Sequence, residues 1–232
     1  MYSPVERALH VQDMVSSGDK RKYYRFRPAP FYGGIATADC VGCPLTCVFC
    51  WSGFPRDHPE KAGDWYSSQQ VFDELVSIAK KKRYSSLRVS GNEPTLGQEH
   101  LINVLKRVEK TPYQFILETS GILIDDQYAK ALSNFKNVHV RVSLKGACEE
   151  EFTHLTGCDP EGFKMQLLAL QNLKKHGVPC HPAVMVSFST PEKVEELIGR
   201  LSYISSSFYV EEEHVMLYPL VKRRLRKAGF LP

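Results

Sequence analysis

Long apolar runs are missing: no stretch reaches the roughly 18 residues that a spanning helix requires, and the first 15 residues hold no basic segment followed by an apolar core. A transmembrane or secretory reading is therefore not expected, and the chain is expected to be cytoplasmic. Internal repeats and low-complexity linkers are absent as well, so nothing divides the 232 residues into arrays or tethered modules. Paired cysteines are also lacking, because the count is seven and four of them crowd between Cys40 and Cys50. That spacing is a poor disulfide framework and suits a metal or redox site in a reducing compartment. Charge of one sign is scarce too: 30 basic against 26 acidic residues leave only +4. Much of the excess sits in 20-KRKYYRFR-27 and 222-KRRLRK-227. Such patches fit an acidic partner without establishing nucleic-acid binding.

What is present is 43% hydrophobic and 24% charged, the composition of an ordinary globular chain with one core. A short helix is expected within residues 2–15 around Val5, Leu9 and Val11, then the basic aromatic stretch. Residues 35–41 read as a strand, followed by a long loop over 43–64 with no clean periodicity. From Ser67 onward the pattern alternates. Helices are expected over 68–82, 98–110, 124–135, 160–176, from Pro191 through Leu201, and over 221–229. Strands are expected over 85–90, 113–119, 137–144, 180–188 and 213–219. Helices between successive strands imply a mostly parallel sheet, either doubly wound or barrel-like. Six units in 232 residues would make an incomplete barrel, so the expected class is α/β, a partial (β/α)6 TIM-like barrel with parallel strands. Residues 1–30 are expected as an N-terminal extension on the core, 31–220 as the barrel and 221–232 as a basic tail or short helix.

The sharpest feature is 43-CPLTCVFC-50. Three thiolates on a short loop can hold three corners of an iron-sulfur cube and leave one iron open to an exogenous ligand. A structural zinc would want a fourth ligand, Cys40 or His58. On the strand 138-VHVRVSLK-145, Val138, Val140, Val142 and Leu144 share one face, and His139, Arg141, Ser143 and Lys145 the other. A parallel sheet under helices prefers apolar residues on both faces, so the polar row suits an open barrel that binds a polar cofactor. The same logic brings in Arg88, Ser90, Glu118 and His181.

The Cys-x3-Cys-x2-Cys spacing, with Phe49 before its last cysteine, resembles the defining motif of the radical S-adenosylmethionine (SAM) superfamily. The sequence 90-SGNEPTL-96 resembles that family's Gly-Gly-Glu-Pro turn, with Asn92 at the second glycine, where its tolerance of positive φ would serve. The segments 117-LETSG-121, 142-VSLKG-146 and 154-HLTG-157 are similar to motifs of glycyl-radical-enzyme activating enzymes, with Ser120 and Ser143 as departures. The resemblance implies a [4Fe-4S] cluster on Cys43, Cys47 and Cys50, which form the catalytic and metal site. It also implies SAM as cofactor, cleaved reductively to methionine and a 5'-deoxyadenosyl radical that takes hydrogen from a substrate. Phe49 and Trp51 would lie by the cluster and the adenine, and Gly91, Asn92, Glu93 and Pro94 by the methionine part. Glu118, Ser143 and Lys145 would complete the pocket, with Lys145 at the SAM carboxylate. An external reductant such as flavodoxin or ferredoxin is implied, and the substrate could be a glycine of a partner enzyme. A nucleoside, RNA, a peptide or a small molecule stays open, as does a non-catalytic zinc-binding domain. For Glu93 the bland alternative is turn capping, and for the basic stretches it is solvated charge.

Overall fold

In the computed structural model, which describes residues 1–231, the chain opens with α1 (Pro4–Val15), started by the Ser3 hydroxyl and by proline in its first turn. Its buried face is Ala8, Val11 and Val15; Val5 and Leu9 face solvent, which corrects the expected stripe. After β1 (Ser16–Ser17) comes β2 (Lys20–Ala29), a strand where the sequence suggested solvated charge. Two of its cations are held internally: Arg21 donates to the carbonyls of Val15 and Glu93, both at 3.1 Å, and Lys22 to that of Pro59 at 3.0 Å. Satisfied donors can be buried, which is why a basic stretch forms a central strand here.

The repeating units follow. β3 (Ile35–Cys40) leads into the cysteine loop, which contains the short α2 (Gly53–Asp57) and ends at β4 (Asp64–Ser67). Next come α3 (Ser68–Lys82), begun by a capping box of Ser67 and Gln70, then β5 (Ser86–Ser90) and α4 (Gln98–Val108). β6 (Gln114–Thr119), α5 (Asp126–Leu132) capped by Asp125, and β7 (Val138–Leu144) continue the alternation. α6 (Glu149–Thr156), unforeseen in the sequence, precedes α7 (Glu161–Lys175) and β8 (Cys180–Met185). The chain closes with α8 (Pro191–Ile204), β9 (Glu211–Glu213) and α9 (Pro219–Lys227). β9 lies upstream of the expected 213–219, because pairing with β8 rather than apolar content makes it a strand.

Strands β3, β5, β6, β7, β8 and β9 pair in that order, each parallel to the next. The order never reverses, as it would in a doubly wound sheet, so the architecture is a partial (β/α) barrel. Antiparallel β2 extends it beyond β3, and β4 pairs on β2. The path ends at β1 and β9 and stays open. On the outer face Leu87, Val89, Phe115, Leu117, Val140 and Val142 pack with Leu75, Leu105 and Leu170 from the helices into one core. The alternate positions, Thr37, Asp39, Arg88, Ser90, Arg141 and Ser143, are buried yet polar. They face a cavity of about 1020 Å³ or the polar network beside it. No helix among the described residues is long and apolar enough to cross a membrane.

Candidate active site

The cysteine loop leaves the end of β3 and is fastened from four directions. Tyr2 donates to the carbonyl of Pro44 at 3.1 Å. The backbone amides of Thr46 and Val48 donate to the carbonyls of Thr156 and Leu155 at 3.3 and 2.9 Å. Arg56 donates to the carbonyl of Cys47 at 2.5 Å, and Arg224 of α9 donates to those of Val48 and Cys50. A loop with little aliphatic content is thus held by hydrogen bonds to its carbonyls and from its amides, most of them to partners far away in sequence.

Cys47 is buried, with Cys43 and Cys50 half-buried beside it. Burial pushes the Cys43 thiol well up, and Glu93, Cys47 and Cys50 add to the rise. Burial likewise lifts Cys47 to about 12, against the pull of Lys145 and Arg56. Without a cation Cys43 and Cys47 hold their protons, and a cation that binds them must supply the charge that neighbouring thiolates demand. Among the described residues no three His, Cys, Asp or Glu side chains converge as ligands of a single ion would. The donor set is three soft thiols on one short loop, which suits iron-sulfur chemistry. Cys40 does not join them. It lies on β3, and the groups that act on it are Arg21, Asn92, Glu93 and Asp39, whereas Cys43, Cys47 and Cys50 act on one another.

The turn after β5 locks onto this loop. Gly91 has φ +100°, and a Cβ there would stand 2.9 Å from the Asp39 Cα, so only glycine lets the turn cross β3. Asn92 is not at positive φ, which corrects the backbone role expected of it. Its side chain works instead: Oδ1 accepts from the amide of Gly42 at 3.0 Å and Nδ2 donates to the carbonyl of Ser52 at 3.2 Å, tying together the two ends of the cysteine loop. Pro94 opens a short 3-10 turn that Glu93 caps. The Glu93 carboxylate is 1% exposed and accepts five hydrogen bonds. They come from the amide and hydroxyl of Thr95, the hydroxyl of Thr119, and the amide and hydroxyl of Ser120. Those donors fill its lone pairs and join β5's turn to the end of β6.

Across the barrel, Glu118 accepts from Arg88 at 2.8 Å, Ser90 at 2.7 Å and Tyr32 at 3.2 Å and lines the cavity. Ser143 donates to Glu213 at 2.5 Å and accepts from Lys145, whose ammonium also lies 6.0 Å from the Phe49 ring centroid. Arg141 forks onto Glu211 at 2.8 and 2.9 Å and reaches Glu213 at 2.9 Å. His181 contacts Glu211 at 3.0 Å and His139 at 2.7 Å. The hydrogen bond from Arg141 holds the Glu211 carboxyl down at about 2. Burial pushes Glu213 up, but Lys145 and Arg141 prevail and hold it below the ordinary value. Phe49 stacks on Phe188 at 5.7 Å, and half-exposed Trp51 lies under Arg25 and Arg27. Phe49, Cys50, Trp51, Glu118 and Lys145 thus line one cavity. Gly91 to Pro94 and Ser143 stand behind it as supports. Sequence reasoning missed Glu211, Glu213, Asp39 and Arg224. Asp39 alone left a signal, a carboxylate alternating with small apolar residues in 35-IATADC-40.

With this geometry in hand, comparison with known proteins is specific. Residues 39–201 match the family model described as the radical SAM superfamily. A probable GTP 3',8-cyclase of Saccharolobus islandicus is 24% identical over 182 residues, which cover 77% of this chain and 54% of that protein. SuiB of Streptococcus suis bound to S-adenosylmethionine superposes with a TM-score of 0.63 at 17% identity, over 82% of this chain and 44% of SuiB. The structure of TYW1 with a lysine-pyruvate adduct bound gives a TM-score of 0.60 at 14% identity, over 99% of this chain and 89% of that one. The chain spans about half the length of the cyclase, and the family model takes in the cysteine loop, the turn at Gly91 and the polar strand alike. This chain belongs to the radical SAM superfamily.

Proposed function

We propose that the chain is an enzyme that holds one [4Fe-4S] cluster on Cys43, Cys47 and Cys50 and binds SAM in the adjoining cavity. When bound, cluster and cofactor would supply reductive cleavage of SAM to methionine and a 5'-deoxyadenosyl radical that abstracts hydrogen from a substrate. The observation that carries the reading is the meeting of three thiols, clamped by backbone contacts, with a charged cavity at one end of parallel strands. A relative solved with S-adenosylmethionine supports the cofactor. The chain's own residues then have definite tasks. Arg56, Arg224 and Asn92 fix the loop, and Phe49 and Trp51 cover the cluster side and offer ring surface to the adenine. Lys145, anchored on Ser143, presents its ammonium toward the SAM carboxylate, and Glu118 shapes the pocket wall.

A glycine of a partner enzyme is the hydrogen donor that the likeness of 142-VSLKG-146 to the activating enzymes implies. SuiB bound to its precursor peptide SuiA supports a polypeptide substrate. A nucleoside or small polar molecule is the second reading, favoured by a cavity wall in which Arg88, Glu118, Arg141 and Glu213 outnumber aliphatics. RNA loses one support, since Arg21 and Lys22 spend their charge inside the protein. A flavodoxin or ferredoxin as reductant is supported by α9, whose exposed Lys222, Arg223 and Lys227 flank the arginine that touches the Cys50 carbonyl.

Anaerobic reconstitution with iron and sulfide tests the reading. The expected product is a brown protein with the iron content of one cubane cluster that, once reduced, releases 5'-deoxyadenosine and methionine slowly without substrate. Fully loaded, reduced protein that fails to bind SAM overturns it.

A further inference from the structure

The basic stretch of β2 uses its cations in two ways. Arg21 and Lys22 donate to backbone carbonyls, whereas Arg25 and Arg27 line the cavity. Both of the latter donate through Nε to one oxygen of Asp39, at 2.7 and 2.8 Å, and Arg27 also donates through Nη2 to the other oxygen at 3.4 Å. Asp39 is fully buried, and its carboxylate is shared by two guanidinium groups, so one positive charge remains uncompensated. The other arginines of the cavity carry no such excess. Arg88 pairs with Glu118, and Arg141 faces both Glu211 and Glu213. Beneath the pair lies Trp51, with the two guanidinium carbons 5.4 and 5.8 Å from its ring centroid and its side 45% exposed.

Bonding through Nε orients Arg25 and leaves both of its terminal amino groups unspent on Asp39, while Arg27 keeps Nη1. Such amino groups match carboxylate and phosphate oxygens bidentately, and low-dielectric walls strengthen the pull. The place is distinct from that expected for the SAM carboxylate, since Lys145 follows β7 and β3, β5 and β6 lie between it and β2. We propose that Arg25 and Arg27, oriented by Asp39 and backed by Trp51, seat an oxyanion of the substrate, a carboxylate or a phosphate. This rests on the radical SAM reading and narrows its substrate to one that carries an acidic group.

The test is calorimetric titration of the cluster-loaded full chain, saturated with SAM, with inorganic phosphate and with acetate. Arg25→Gln leaves Arg27 paired with Asp39 and is expected to weaken the tighter anion about tenfold, the loss of one charge-assisted hydrogen bond. Asp39→Asn removes the competing charge at constant size and is expected to tighten it. Lys164→Gln, on the exposed side of α7, is expected to change nothing. Opposite signs at Arg25 and Asp39 cannot both come from misfolding. Tighter phosphate assigns a phosphoryl group to the substrate, and tighter acetate assigns a carboxylate. Wild-type protein that binds neither anion, or Arg25→Gln and Asp39→Asn variants that both bind as wild type does, overturns the seat. A chain that takes up no cluster speaks against the radical SAM reading instead, and the same titration without iron or SAM then decides the seat by the same criteria.

Discussion

Arg224 of α9 reaches back to the cysteine loop, donating to the carbonyl of Cys50 and, through Nε at 3.2 Å, to that of Val48. Its guanidinium fills the space beside Gly53, where a Cβ would stand 2.2 Å from Nη1. Charge-assisted hydrogen bonds of this kind contribute about 1.5–3 kcal/mol each when shielded, less at a half-exposed group. Arg224→Ala is therefore expected to free the loop and speed cluster loss in air several-fold, read as bleaching of the iron-sulfur absorbance. Bleaching at the wild-type rate would show that α9 contributes nothing to cluster retention.

The ligand assignment separates Cys40 from the other three. Cys40→Ala is expected to retain most iron after anaerobic reconstitution, because no other cysteine acts on that thiol whereas Cys43, Cys47 and Cys50 act on one another. Cys47→Ala is expected to lose the intact cluster. Equal iron loss in the two variants would overturn the assignment.

Lys145 sits where two demands meet, near Cys47 and bonded to Ser143, which in turn donates to Glu213. Lys145→Ala is expected to weaken SAM binding by about 1–3 kcal/mol while leaving iron content intact, since thiolates rather than the ammonium hold the metal. Unchanged affinity at full iron content, measured by anaerobic equilibrium binding, would move Lys145 from cofactor to substrate contact.

Glu93 is expected to act through stability. In Glu93→Gln one acceptor oxygen becomes a donor among five donors in a buried site, at a cost of about 2–3 kcal/mol. For a chain of this size that lowers Tm by roughly 4–12 °C. A variant with wild-type Tm and lost SAM affinity would assign it the direct ammonium contact instead.

The contrast between Glu93 and Cys47 shows what the sequence could disclose. The three cysteines announce themselves because their spacing is local, and β7 announces its inner row because alternation within a single strand is local as well. Five of the six parallel strands, β3, β5, β6, β7 and β8, emerged for the same reason, from helix stripes and short apolar runs. Glu211 and Glu213 stayed hidden because an acidic triplet has no strand signature, and its partners Arg141 and Ser143 lie 70 residues away. β2 stayed hidden because its arginines resemble solvated charge until Asp39 and distant carbonyls are placed against them. The site's supports are long-range pairings, and register between strands fixes them only once the sheet exists.

That register also sets a pH response. Glu211 is bonded to Arg141 and His181, and its carboxyl is lowered from 4.5 to about 2, chiefly by the hydrogen bonds from Arg141. A depressed folded-state value means that the charged carboxylate stabilises the fold fully above its unfolded value, and that this contribution fades as pH falls through the folded one. The window thus runs from about pH 4.5 down to about 2. In Glu211→Gln the group cannot titrate, so urea denaturation of variant and wild type is expected to differ by a constant amount above the window. The gap is then expected to shrink steadily inside it. A gap that stays constant down to the lower limit would mean that Arg141 draws its stabilisation from Glu213 alone.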